Sequence, residues 1–216
     1  MDILEKLFGS SSRVKILRLF LFNEGENFEN AKIAKRARVS ASSVRSETLM
    51  MEKIGLIKRS IFNIESDRVK VRNKKVVKKK VHGWTLNTKF IYLIALRNFL
   101  LTATPMGKNH IIKKLSTAGH PKLVVISGAF IQDFDSNVDM LVVGDNMNDV
   151  KLDHAIRDIE SIVGKEIRFA LFSTKDFSYR MNIYDKLLRD VFDYPHQTVL
   201  NRLGSQYNFD SFSVQK

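Results

Sequence analysis

Between Glu29 and Leu56 the chain reads ENAKIAKRARVSASSVRSETLMMEKIGL, and this stretch narrows the folds open to it more than any other. Ile33, Ala34 and Ala37 recur at i, i+1 and i+4, the apolar face of a short helix. Val39-Ser40 interrupts the pattern. Ser40 suits the N-cap of a second helix, because its hydroxyl can accept from an otherwise unpaired first-turn N–H. Along that helix Val44, Thr48 and Met51 fall at i, i+4 and i+7 and make an inward stripe. Gly55 follows the last turn, where a helix stop favours glycine. Two helices joined by a tight turn leave Ser42, Ser43, Arg45 and Ser46 outside, near the start of the second. Small hydroxyls and one guanidinium there suit a helix laid into the DNA major groove, Ser on phosphates or base edges and Arg45 on guanine or a phosphate. The same pattern serves a plain two-helix corner with a polar outer face, so the flanking sequence has to decide.

Upstream, residues 2–9 read as a lead-in turn. Ser10 to Ser12 offer caps for a helix running to about Phe22 with Val14, Leu17, Phe20 and Leu21 inward, and Asn23 to Asn27 form a polar connection. Downstream, IKRSIFNI directly after Leu56 and VKKKVHGWTLN further on are β-type runs. Residues 58–80 hold ten basic side chains (Lys58, Arg59, Arg68, Lys70, Arg72, Lys74, Lys75, Lys78, Lys79 and Lys80) against Glu65 and Asp67, a net +8. The whole chain carries +13, and residues 1–87 supply +11 of it, so the basic end is the part suited to a polyanion. A charge run alone is most often a solvated face. Here it lies between two strands behind a candidate recognition helix, where neutralising phosphates would release counterions. Trp84, beside Gly83, is expected to anchor packing rather than stack on a base.

In this order of elements, and in the ending EKIGLIKR, residues 1–87 resemble winged-helix transcriptional regulators. The resemblance implies a recognition helix in the major groove of double-stranded DNA and a basic wing on the phosphates. From Thr88 the segment KFIYLIALRNFLLTA is apolar almost all round. A helix over 88–103 with Phe90, Ile91, Leu93, Ile94, Leu96, Phe99 and Leu100 has more apolar surface than one core can cover, which points to a connector that also serves a homodimer interface. Pro105-Met106-Gly107 ends it, and a short helix with Ile111, Ile112 and Leu115 leads to Gly119-His120-Pro121.

Strand and helix then alternate. LVVISG, VDMLVVGD and EIRFALFS read as strands, DVKLDHAIRDIESIV as a helix with Ile156, Ile159 and Val163 on one face. Thr174 is taken to cap a long helix carrying Phe177, Met181, Tyr184, Leu188 and Val191, and Pro195 to start a last short helix that Gly204 ends. The stretch from Ser127-Gly128-Ala129-Phe130 to Asn137-Val138-Asp139-Met140-Leu141-Val142-Val143-Gly144 resembles the signature of small nucleotidyltransferases. In that family a Gly-Ser pair opens a helix whose amides hold nucleotide phosphates, and an Asp-x-Asp on the next strand holds divalent metal with a third carboxylate, a place Glu166 would occupy. Here the pair is Gly128-Ala129 and the first carboxylate is the amide of Asn137. Asp139 with Glu166 is then a poor supply of anionic oxygen for two metal ions, though Asp133 or Asp135 could move in.

The chain is similar over nearly its full length to prokaryotic proteins that join a winged helix-turn-helix to a nucleotidyltransferase-like domain. It is expected to be α+β, with a winged helix-turn-helix over 1–87, connecting helices over 88–120, and over 121–216 a small α/β layer, a mixed sheet flanked by helices, catalytically degenerate. The expected function is sequence-specific regulation of transcription in the cytoplasm, without cofactor or metal. The degenerate site of Gly128, Ala129, Asn137, Asp139 and Glu166 leaves room for a small-molecule or nucleotide ligand. The rival reading is an active metal-dependent nucleotidyltransferase acting on a nucleic acid or protein partner. With Cys absent there is neither disulfide nor thiolate metal site, no apolar run reaches the roughly 18 residues of a membrane span, and a signal-peptide pattern is lacking. His82, His110, His120 and His154 lack metal-ligand spacing. Arg189 and His196 are separated by Pro195, so no one helix presents both.

Overall fold

Caps set the helix boundaries in the N-terminal half. In the computed structural model, which describes residues 3–65, 78–102, 106–133 and 136–204, Ser10 accepts from the Arg13 N–H at 3.1 Å and Ser40 from the Ser43 N–H at 3.1 Å. The elements are α1 (Ile3–Phe8), α2 (Ser11–Phe22), β1 (Asn27–Phe28), α3 (Asn30–Ala37), α4 (Ala41–Lys53), β2 (Ile57–Glu65) and β3 (Lys78–Leu86). Arg38 closes α3 in a left-handed conformation, and the chain turns straight into α4. Gly55, at φ +80°, ends α4 with paired bonds from the Leu56 N–H to the Met51 carbonyl (2.9 Å) and the Gly55 N–H to the Glu52 carbonyl (2.9 Å). That double closure needs a residue at positive φ, which is why glycine stands there.

The three strands form an antiparallel sheet in the order β1-β3-β2. Its tightest approach is at Gly83, where a Cβ would come within 2.3 Å of the Phe28 carbonyl oxygen, so only glycine lets β1 lie against β3. The core takes the inward faces the periodicity indicated: Val14, Leu17 and Phe20 from α2, Ile33 and Ala37 from α3, Val44, Thr48 and Met51 from α4. Phe20 meets Phe28 edge-on, with centroids 5.5 Å apart. Arg13 reaches from α2 to the buried carboxylate of Glu47 on α4 at 2.8 Å, fixing the azimuth of α4 and with it the direction of its outer face.

The chain divides into two units, Met1–Arg97 and Asn98–Lys216, the division falling inside α5 (Leu93–Thr102). Leu93 and Leu100 are buried, whereas Ile91 and Ile94 are 82% and 76% exposed and Tyr92 and Phe99 are exposed as well. The second unit continues with α6 (Lys108–Leu115), β4 (His120–Ile126), a single 3-10 turn (Gly128–Phe130), β5 (Met140–Asp145), α7 (Asp149–Val163), β6 (Phe169–Phe172), α8 (Thr174–Asn182), α9 (Lys186–Phe192) and β7 (Gln197–Asn201). Its four-stranded sheet is mixed, in the order β6-β5-β4-β7, with β5 and β6 parallel and the other pairs antiparallel. Leu123 to Ile126 and Met140 to Val143 are buried without a break, as the two central strands of a sheet covered on both faces require. The fold class is therefore α+β with two sheets, one of them mixed.

Several elements differ from the sequence reading. Residues 3–8 are a helix, the polar connection ends in strand β1, and α5 starts at Leu93 rather than Thr88. The long helix expected from Thr174 is two: Ser173, not Thr174, is the N-cap of α8, Tyr184 turns left-handed at φ 53°, and Asp185 caps α9 through the N–H groups of Leu187 and Leu188. Among the described residues no helix follows Pro195. Gln197–Asn201 instead pairs with β4, because the β-branched and apolar residues of QTVLN find an open strand edge there.

Candidate nucleic-acid interface and the Asp139 site

Ser40, Ser42 and Ser43 cluster at the start of α4: the Ser40 hydroxyl lies 2.8 Å from each of the other two. Ser43 is half-buried and belongs to the cap. Ser42, Arg45 and Ser46 are exposed, and Leu49 continues their line, at i, i+3, i+4 and i+7. Among the described residues the Arg45 side chain has no hydrogen-bond or ion-pair partner, so its guanidinium is uncommitted.

Lys58, Arg59, Lys79 and Lys80 are exposed on β2 and β3, where Asn63 pairs with Lys80 and Ile64 with Lys79. Lys78 adds its backbone to β3, opposite Glu65. Arg68, Lys70, Arg72, Lys74 and Lys75, like Asp135, lie outside the described residues. Arg59 is gripped by Glu52, Nε–H to Oε1 at 2.7 Å and Nη2 to Oε2 at 3.4 Å, and this hydrogen bonding, with the carboxylate's charge, holds its pKa above the ordinary guanidinium value. The Trp84 indole N–H donates to Asn30 Oδ1 at 2.8 Å and the ring is buried, as expected of a packing anchor. Its neighbours also line a pocket of about 280 Å³ between α4 and the sheet, and His82, left among the scattered histidines by the sequence, is part of it.

In the second unit Asp139 is fully buried, and four N–H donors converge on its carboxylate. The Ala129 amide donates to Oδ1 at 2.8 Å and the Arg168 amide to Oδ2 at 2.9 Å, while the Arg168 guanidinium straddles both oxygens, Nε to Oδ2 and Nη2 to Oδ1, each at 3.0 Å. Gly128, at φ +51°, makes room: a Cβ there would sit 2.1 Å from Oδ1. Burial pushes the Asp139 pKa up. The hydrogen bonds from Arg168 and Ala129 and the guanidinium's charge more than offset that, so the group stays below the ordinary carboxylate value. Arg168 is held above its own ordinary value, first by the hydrogen bond to Asp139.

A carboxylate offers about four lone-pair directions, and all are occupied. The sequence placed Glu166 at this point. Glu166 is exposed and contributes none of the four bonds, because β6 begins at Phe169 and the residue beside Asp139 is Arg168, whose carbonyl accepts the Asp139 N–H at 2.7 Å. The strand starts three residues later than the expected Glu166, and a cation, Arg168, stands beside Asp139 in place of the expected anion. Asn137 is exposed and its Nδ2 donates to Asp190 Oδ2 on α9 at 3.1 Å, a partner the sequence did not flag. The Ala129 amide, expected near a nucleotide phosphate, serves Asp139 instead. The residues present thus do not fit a divalent metal: one ligand position is an amide bonded elsewhere, and Asp139 is already saturated. Among the described residues no group of three or more His, Cys, Asp or Glu is arranged to hold a metal.

Asp145, at the end of β5, accepts from Lys122 Nζ at 2.7 Å and from both the N–H and the hydroxyl of Thr174 at 2.8 Å, tying the start of α8 to the sheet and lowering its pKa to about 2. His196 is buried, its Nδ1–H donating to the Tyr194 carbonyl at 2.8 Å, with the ring edge-on to Phe192. No described helix is long and apolar enough to cross a membrane. The chain matches no protein-family model, no curated protein and no solved structure.

Proposed function

We propose that this protein is a sequence-specific regulator of transcription that binds double-stranded DNA through its N-terminal unit, a winged helix-turn-helix. The observation that carries the reading is the conjunction of an exposed Ser42-Arg45-Ser46 line at the start of α4 with exposed cations on the strand pair directly behind it. α4 supplies the groove contacts, and Lys58, Arg59, Lys79 and Lys80, continued by the basic run 66–77, neutralise phosphates. The exposed apolar side chains around α5 support a homodimer on a two-fold site. Selection from a random duplex pool by the full chain tests this. Enrichment of a common motif with two related half-sites is expected, and a pool that stays random after several rounds would contradict it.

The second unit is a nucleotidyltransferase-like domain that does not transfer nucleotides and acts in dimerisation, interaction or ligand sensing in the cytoplasm. Support comes from the Arg168 guanidinium standing on Asp139 where catalysis by such a domain would require a metal ion. The rival, an active transferase, keeps one observation in its favour: Gly128 and Asp139 still meet as that fold requires. Incubation with labelled nucleoside triphosphates and magnesium or manganese separates the two. Label transfer that vanishes in Asp139→Asn would establish the enzyme.

A further inference from the structure

The pocket between α4 and the sheet lies at the end of the α4 line. Strand alternation puts Arg59 of β2 on the same face as Trp84 and His82 of β3, since Arg59 pairs with Trp84 and Ile61 with His82. Leu49, last in the line of Ser42, Arg45 and Ser46, forms the facing wall, and Asn30, at the start of α3, closes one side. All of these residues belong to the first unit.

The polar side chains of this pocket, Asn30, Arg59, Ser60 and His82, can all donate. Because the Trp84 indole N–H uses Asn30 Oδ1, the orientation of that amide is fixed and its NH₂ is left without an acceptor among the described residues. Glu52 takes two of the five N–H groups of Arg59 and thereby orients the guanidinium, which lies 5.9 Å from the Trp84 ring centroid and remains 75% exposed. His82 is exposed beside it, and among the described residues no carboxylate lines the pocket. Leu49 and the Trp84 ring supply apolar surface beside these donors. About 280 Å³ is far more than the ~30 Å³ share of one water, so the space suits an anion attached to something apolar.

We infer that this pocket receives one phosphodiester of the DNA strand bordering the groove entered by α4, with the adjoining deoxyribose against Leu49 and Trp84. The inference rests on the DNA-binding reading above. The phosphate takes the three remaining N–H groups of Arg59, with His82 and the Asn30 amide as further donors. The contact fixes how far α4 enters the groove rather than which base it meets. A free phosphate or nucleotide carries the same anion but lacks the neighbouring linkages that would hold it beside α4.

The test uses the full chain and a duplex enriched by it, with single neutral methylphosphonate linkages walked along each strand. One linkage at the edge of the groove should weaken wild-type binding by about tenfold. Arg59→Ala should weaken the unmodified duplex by a similar factor, lower the salt slope by about 0.9, and be insensitive to that same linkage. His82→Ala should show a smaller loss with the same positional coupling. If the effects of Arg59→Ala and of each linkage multiply at every position, the pocket touches no phosphate and the inference fails while DNA binding stands. A wild-type chain that binds no duplex overturns the DNA reading itself. If millimolar inorganic phosphate raises the melting temperature of wild type but not of Arg59→Ala, and no linkage couples, the pocket is a free-anion site and the inference is likewise overturned.

Discussion

Removing the Arg168 guanidinium is the sharpest way to ask what holds the second unit together around its buried Asp139. Arg168→Ala deletes two charge-assisted hydrogen bonds at 3.0 Å and leaves Asp139, 0% exposed, with only the amides of Ala129 and Arg168 itself. Breaking a fully buried ion pair from one side costs roughly 3–5 kcal/mol. The Arg168 side chain is 48% exposed, so water can enter behind it, and a discounted figure of about 2–3 kcal/mol is the better expectation. In urea denaturation followed by circular dichroism that appears as a lower midpoint with an unchanged slope. Asp139→Asn removes the charge that needs the guanidinium, so in that background Arg168→Ala should cost at least ~1 kcal/mol less. The pH dependence gives a second readout. In wild type the folded pKa of Asp139 is depressed, so its contribution is present above the ordinary carboxylate value of 3.8 and is lost as pH falls through the folded value. Without the guanidinium, burial dominates and raises that pKa. The variant then gains stability on protonation, and its deficit should shrink as pH falls from neutral toward 4. Equal stability of wild type and Arg168→Ala, or a deficit that grows on acidification, would refute the reasoning.

Other outcomes follow from the same geometry. Asp145, with a folded pKa of about 2 against an ordinary 3.8, should stabilise the second unit above pH 3.8 and lose that contribution as pH falls toward 2, and Asp145→Asn should flatten this part of the pH profile of the urea midpoint. Replacing Lys58, Lys79 and Lys80 by Ala should weaken binding to all duplexes alike and reduce the log–log salt slope by about 0.9 for each phosphate no longer neutralised, as read by fluorescence anisotropy. Ile91→Glu with Ile94→Glu should shift sedimentation from a dimer to a species of 24.9 kDa, and an unshifted dimer would place its interface elsewhere.

What could be read from the chain follows the strength of each local signal. α3, the turn and α4 were legible because three signals agree there: apolar spacing, a Ser40 cap and a Gly55 stop, all at the observed positions. β2 and β3 follow from β-branched and aromatic content. β1 is two residues long and draws its stability from Gly83 and Phe28, a tertiary contact invisible to periodicity. At Tyr184 the 3.6-residue spacing carries across a helix break, and only Asp185, a good N-cap, hinted at it. At Pro195 the helix-start rule competed with the strand-forming residues of QTVLN, and the free edge of β4 decided for the strand. The Asp139 site shows the same limit. Residue types gave an amide at Asn137, but whether Glu166 or Arg168 meets Asp139 depends on strand pairing between Met140 and Phe169, which composition cannot set.

The affinity of Arg45→Ala for the enriched duplex and for a scrambled one of equal length, at one fixed salt concentration, tests the assignment of α4 as the reading helix. Wild type should prefer the enriched duplex by about 10³-fold or more. Arg45→Ala should lose roughly 1–3 kcal/mol of that preference, a factor of about 5–150, while its affinity for the scrambled duplex changes much less. Equal losses on both duplexes would make Arg45 a phosphate contact only, and no preference in wild type would contradict sequence-specific recognition by this helix.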